Sequence, residues 1–244
     1  NGSTCDGVCG ACNDATSCLD CEGTVNGTVS FDSYGLCGGD GTAVANLFFS
    51  EHAEGSSNNK YFEIYNASDV SVSLDSYEFL NCSNGCTDWE YTNTFASGAT
   101  VAAGDVYAVC HSSFAGDLTL CDETRTLYHT GNDAQGLRHV ASGAYLDLFG
   151  EIATSGSNWT VCGEANATAE HTLVRKASVV TGNDNWTESA GTDATDCEWV
   201  VNAQNYWEDL GSHTYDGPAT DVAGCMDSNA TNYDSTANTQ SYTY

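Results

Sequence analysis

Between residues 44 and 216 the chain alternates short apolar runs with clusters of Gly, Asn, Asp and Ser. The runs are Val44–Phe49, Tyr61–Tyr65, Val70–Leu74, Tyr77–Leu80, Val106–Cys110, Tyr145–Phe149 and Thr172–Arg175, and in Tyr61–Tyr65 the order is apolar, apolar, acid, apolar, aromatic. Turn clusters such as Gly55–Asn59 and Gly131-Asn132-Asp133 separate them, and no window sustains a helical period. Short strands with regular turns predict an all-β fold, an antiparallel β-sandwich. The flanks differ. Residues 1–43 are rich in Cys, Gly, Asp and Thr and poor in large apolar residues, so cross-links must hold them as a small disulfide-rich segment. Residues 217–244 are polar, contain the sole proline, Pro218, and are expected to form an extended tail.

Thirteen cysteines change the picture. Six crowd the start: Cys5, Cys9, Cys12, Cys18, Cys21 and Cys37. The pairs Cys9-x-x-Cys12 and Cys18-x-x-Cys21 have zinc-like spacing. The others, Cys82, Cys86, Cys110, Cys121, Cys162, Cys197 and Cys225, are scattered as disulfide partners would be, and Cys110 is read as bridged to Cys121. The sequence also carries N-x-[S/T] sequons at Asn1, Asn26, Asn66, Asn81, Asn158, Asn166, Asn185 and Asn229. Sequons and disulfides share one compartment, the secretory pathway, so disulfides are preferred to zinc and the expected location is extracellular or at a cell surface, with covalent N-glycans. The odd count leaves one thiol outside intrachain pairing; Cys225, the most isolated, is the candidate. No secretory leader is visible at Asn1, so the numbering is expected to start at a mature terminus or later.

Several segments of the central zone resemble the lamin-tail domain, an immunoglobulin-like β-sandwich. They are Leu47–Glu51 followed by Glu54–Lys60 and Phe62-Glu63-Ile64-Tyr65-Asn66; Leu74–Tyr77; Ala103-Gly104-Asp105-Val106-Tyr107; Gly131–Ala134 with Asp147-Leu148-Phe149-Gly150; and His171–Lys176 with Leu210–Thr214, all in the family's order. The central cysteines and the scarcity of Lys and Arg depart from it and fit an extracellular version. Residues Cys5–Gly41 resemble the Cys/Gly/Asp-rich repeats of secreted surface proteins. Gly224-Cys225-Met226-Asp227 with Asn229–Tyr233 resembles the short G-C-x-D…A-x-N-Y repeats of surface proteins, without their second cysteine.

Charge narrows function. Against 34 acidic residues stand 5 basic ones, a net charge of −29, which repels phosphate backbones and anionic membrane faces. No apolar run approaches the ~18 residues of a membrane span. Catalytic patterns are absent: His52, His111, His129, His139, His171 and His213 form no HExxH and are expected on the surface or in turns, and no GxSxG or phosphate loop occurs. No catalytic residue is assigned and no cofactor is expected beyond a possible structural calcium, for which Asp227 and Asn229, at alternate positions, are weak candidates. Most tryptophans are expected in the core, but Trp159 and Trp186 lie inside sequons and are expected near the surface. Alternating Thr, Ser and Tyr up to Tyr242 and Tyr244 suit a strand laid on a neighbour's sheet edge. The expected function is therefore a protomer of a glycosylated extracellular filament or array, joined to its own copies through the tail or Cys225. The alternative is an adhesion module of a larger surface protein, binding a sugar, a protein or a calcium-dependent partner.

Overall fold

The structure, a computed structural model, describes residues 19–25, 27–153, 156–217, 223–224 and 239–240. The strands are β1 (Leu47–Glu54), β2 (Lys60–Asn66), β3 (Val72–Ser73), β4 (Tyr77–Cys82), β5 (Tyr91–Thr94), β6 (Thr100–Val101), β7 (Val106–His111), β8 (Glu123–Arg125), β9 (Ala134–His139), β10 (Tyr145–Phe149), β11 (His171–Arg175), β12 (Trp199–Asn202), β13 (Ala223–Gly224) and β14 (Thr239–Gln240). Among the described residues one α-helix, α1 (Trp186–Ala190), and two single-turn 3-10 helices, Leu74–Ser76 and Leu118–Leu120, interrupt them. A six-stranded sheet in the order β12-β11-β1-β2-β7-β8 faces a four-stranded sheet in the order β10-β9-β4-β5. Every pairing within the two large sheets is antiparallel except the parallel β7–β8 contact. The expected all-β sandwich is the fold observed. Between the sheets lies an apolar core that includes Phe49, Phe62, Ile64, Leu137, Phe149 and Trp199.

β1 is buried on both faces, which a two-layer sandwich does not require. Residues 203–216 supply the missing cover. Trp207 and Leu210 pack with Ala53, Tyr61 and Phe114, while Tyr215 packs with Phe48 and Tyr65. A register shift between Phe49 and Glu51 turns Ser50 and Glu51 to this outer face together. Two buried acids then anchor the cover. Glu63 accepts from Ser50 Oγ at 2.7 Å and from the Gly211 amide at 2.7 Å. Glu51 shares a hydrogen with Tyr61 Oη, which also reaches the Tyr206 carbonyl at 3.2 Å. A neutral Glu51 completes this chain, since its own proton frees the phenol proton for Tyr206. Burial pushes both carboxyls up to about 8.

The N-terminal segment docks on the sandwich. Leu36 bridges to Val72, the Cys37 amide donates to the Ser71 carbonyl at 2.9 Å, and Tyr34 stacks on His139 at 4.7 Å. Its loops follow one rule. The Asp20 carboxylate accepts the amides of Glu22, Thr24 and Val29, and Asp32 accepts those of Tyr34, Leu36 and Gly41, at the same offsets of two, four and nine residues. Asp20 is thus spent on backbone amides, a local role of the kind Asp favours in turns.

One ion pair joins the two sheets. Arg175 of β11 meets Asp147 of β10, both fully buried. Asp147 also accepts from the amides of Phe49 at 2.8 Å and Asn183 at 2.9 Å. Arg175 donates to the Phe49 carbonyl at 3.0 Å, Ser189 Oγ at 2.8 Å and Glu198 at 2.6 Å, and lies 4.1 Å over the Trp199 ring. Burial lifts the Asp147 carboxyl, opposed by Arg175 and these amides; a site made of donors alone selects the carboxylate.

Two predictions follow from these buried charges. Asp147→Asn or Arg175→Met leaves a buried group unpaired and is expected to lower stability by about 3–5 kcal/mol in urea unfolding, with the double variant recovering part of the loss. For pH, the folded carboxyls of Glu51 and Glu63 lie above their ordinary 4.5, so the folded state holds protons that the unfolded chain releases, and stability falls from about pH 4.5 to about 8. His52 and His129, depressed by burial from 6.5, oppose this only below pH 6.5. The urea midpoint of the wild type is therefore expected to drop between pH 6.5 and 8, and Glu51→Gln to flatten that drop; equal slopes would contradict a neutral buried Glu51.

Candidate functional site

Among the described residues the cysteines form four disulfides: Cys21–Cys37, Cys82–Cys86, Cys110–Cys121 and Cys162–Cys197. The bridge from Cys110 joins β7 to the approach of β8, where the two strands run parallel. Cys5, Cys9, Cys12, Cys18, Cys225, Tyr242, Tyr244, Asp227 and the sequon residues Asn1, Asn26 and Asn229 lie outside the described residues.

The remaining sequons sort by exposure. Asn158, Asn166 and Asn185 are exposed, and Asn81 is half-buried. Asn185 caps α1 through Oδ1, which leaves Nδ2 free for a glycan. Asn66 departs from the expectation. It is 0 % exposed, and its Nδ2 donates to the carbonyls of Val70, Val101 and Ala102 at 2.9, 3.1 and 3.0 Å. A glycan would replace one hydrogen of that amide and has no room there, so Asn66 is a structural clamp between β2 and the strand-to-strand turns. Trp186, expected near the surface, is only 3 % exposed and packs on Phe149 and Trp199, because α1 turns its ring into the core. The histidines depart as well. His52, His111, His129 and His139 are buried, with His52 stacked on Phe149 at 3.7 Å and burial holding its ring well below the ordinary value.

The basic side chains are committed inside the fold. Lys60 pairs with Glu54, Arg125 with Glu123, Arg138 with Glu78, and Lys176 donates to the carbonyls of Ala194 and Cys197. With Arg175 these are all 5 Lys and Arg of the chain. No helix among the described residues is long and apolar enough to cross a membrane. Among them no three His, Cys, Asp or Glu side chains gather as metal ligands.

One concavity stands apart from these commitments. The edge strands β5 and β8 lie on the same side of the sandwich, and residues 125–129 diverge from β5 to open a cleft of about 430 Å³. Phe79 and Leu127 give it an apolar floor, and Gln135 and His129 close its inner end. His129 Nε2 lies 2.9 Å from the Ala53 carbonyl and therefore carries the proton, so Nδ1 faces Gln135 Nε2 at 3.5 Å. Burial holds His129 down to about 4, hence neutral. Gln135 is 1 % exposed, and its side chain also interacts with the buried His52 ring. Asn93 Nδ2 donates to Asn81 Oδ1 at 3.1 Å, fixing both amides on one wall. Tyr91 and Tyr128, 57 % and 82 % exposed, stand at the mouth. Arg125 lies 5.0 Å over Phe79 and donates to the Thr94 carbonyl at 2.9 Å.

No carboxylate lines this cleft, although 34 of the 244 residues are acidic. The arrangement offers flat aromatic surface, amides and hydroxyls, without the paired acid and base or nucleophile that hydrolysis uses. None of this was marked in the sequence. Tyr91 and Asn93 sit in the polar stretch Tyr91–Thr94, which shows no apolar alternation because β5 is an edge strand exposed along its outer side. The exposed Tyr128 beside buried Leu127 and His129 was the one available hint.

The sequence matches the Lamin Tail Domain family over residues 41–194. No curated protein matches it. Among solved structures, a DUF4876 family protein from Bacteroides thetaiotaomicron VPI-5482 is similar at 12% identity with a TM-score of 0.40, over 70% of this chain and 75% of that one. The match spans more than half of the 244 residues and includes the sheet-joining pair Asp147 and Arg175 as well as the buried Glu63 and Asn66: the chain belongs to the lamin tail domain family.

Proposed function

We propose that the protein is a non-catalytic binding module of the extracellular surface, a glycosylated and disulfide-held scaffold that presents a recognition cleft. The observation that supports this reading is the division of its polar residues. Asp147, Arg175, Glu63 and Asn66 are committed to buried partners, while the cleft between β5 and β8 keeps amide side chains and two exposed aromatic rings without any acid to do chemistry. Disulfides in each part of the described chain agree with an oxidising compartment.

The reading is tested on the natively secreted chain, handled without reductant. Electron microscopy is expected to show dispersed single-domain particles, and labelled protein is expected to co-sediment with extracellular coat material from the producing cells. Regular filaments of pure protein would instead place its work in self-assembly, and particles that bind no coat would end the binding-module reading. Glycopeptide mapping is expected to find glycan on Asn158, Asn166 and Asn185 and none on Asn66. Glycan on Asn66 in folded protein would overturn the clamp assigned to that residue.

A further inference from the structure

We infer that the cleft between β5 and residues 125–129 is a saccharide site that takes one or two pyranose rings. The inference deepens the binding-module reading and rests on it.

The size fits first. About 430 Å³ falls within the range of small-molecule sites and admits a disaccharide-sized ligand. The lining then decides the chemistry. A pyranose has apolar C–H faces and a rim of hydroxyls that both donate and accept. Flat aromatic rings match the faces, and planar amides, with a donor and an acceptor side by side, match the rim. Tyr91 and Tyr128 provide the rings, and both stay exposed at the mouth, where burying them on a ligand recovers apolar area. Asn81, Asn93 and Gln135 provide the amides from three adjacent strands of one sheet, so their spacing is fixed by strand pairing.

Gln135 is 1 % exposed, with Nε2 directed at His129 Nδ1 and its side chain beside the buried His52 ring, so it closes the inner end of the cleft in a fixed orientation. The acid-free lining points the same way. A chain of net charge −29 that keeps carboxylates out of one cleft has no electrostatic provision there for a cation. Arg125 is already committed to Glu123 and the Thr94 carbonyl, so the cleft carries no free charge to select a strong anion. An incoming peptide strand is disfavoured by the same contact, since Arg125 occupies an outward carbonyl of the β5 edge that such a strand needs.

Asn81 gives the saccharide two sources. It lines the cleft and opens the sequon Asn81-Cys82-Ser83, and Asn93 holds its Oδ1, leaving Nδ2 as the attachment atom. The occupant is either the glycan carried by Asn81 itself or a saccharide from outside the chain.

The test uses the full secreted chain and its Ser83→Ala variant, which lacks the sequon and keeps the Asn81 amide, with N,N′-diacetylchitobiose and cellobiose as probes, read by saturation-transfer NMR and titration. The Ser83→Ala chain is expected to bind at least one probe, and Tyr91→Ala or Tyr128→Ala in that background to weaken binding at least tenfold. Both tyrosines are exposed, so unfolding is not expected; circular dichroism checks it. If the wild type binds only after its glycans are removed enzymatically, the occupant is the chain's own glycan. If it binds as secreted, the saccharide comes from outside. Either result supports the inference. Binding of neither probe to the Ser83→Ala chain, or equal binding after both tyrosines are removed, overturns it. Coat binding that persists unchanged in the double tyrosine variant would discard the cleft and keep the binding-module reading.

Discussion

The buried contact between Asp147 and Arg175 is the constraint on which the two sheets depend. A sandwich core is non-directional, because apolar surfaces slide with little penalty. The ion pair is directional. It ties β10 of one sheet to β11 of the other, and through Phe49, which both residues contact, to β1 at the centre. Two charges withdrawn from water are tolerated only when every donor and acceptor is matched. Here Ser189, Glu198, Asn183 and the Trp199 face complete the match, and so the irregular region around α1 is drawn onto the same knot. Its position also orders the strand ends that follow, including the turn at Gly150, whose φ of +77° and close approach to Trp159 leave no space for a side chain.

A second set of buried polar groups works on the other side of β1. The bulge at Ser50 places Glu51 beside Tyr61, and Glu63 two residues on, under residues 203–216. Burial raises both carboxyls to about 8, and a neutral Glu51 donates its hydrogen to Tyr61 while Glu63 accepts from Ser50 and Gly211. The cover is therefore held by hydrogen bonds to two particular backbone groups, Tyr206 and Gly211, rather than by apolar contact alone. That explains how a strand reading Leu-Phe-Phe-Ser-Glu-His-Ala-Glu is buried along its whole length.

The body of the sandwich was legible where one face of a strand is apolar. Tyr61–Tyr65, Val106–Cys110 and Tyr145–Phe149 each lie within strands found in the structure. Strand β9 was not legible, since its inward positions include Gln135 and its outward ones include Gly136, packed under Trp89, so no alternation remains. Helix α1, at five residues, is too short for a helical period. Asn66 and Asn81 carry the same local signature, yet one is a sealed clamp and the other a cleft wall; only the long-range contacts of β2 and β5 separate them. Sequence spacing records the possibility of a glycan and holds no information on whether the amide is already taken.

Family membership and function are consequently carried by different residues in this chain. The segments that resemble the lamin tail domain place Asp147 and Arg175 where the sheets meet, Glu63 under the outer cover and Asn66 against the turns, each held by hydrogen bonds. A residue so committed has no spare bonding capacity for a ligand, which is why a fold shared across a family leaves its functions open. What remains free is set by the edges. β5 and β8 are short, lie on the same side, and are kept from pairing with each other by the outward course of residues 125–129. Closing that gap with a further strand would have completed the sandwich and removed the cleft. Leaving it open costs an exposed edge, and Arg125 and Glu123 offset part of that cost by holding the Thr94 carbonyl and the Ala96 amide. The same two side chains thereby protect the edge from strand addition and give the cleft its shape.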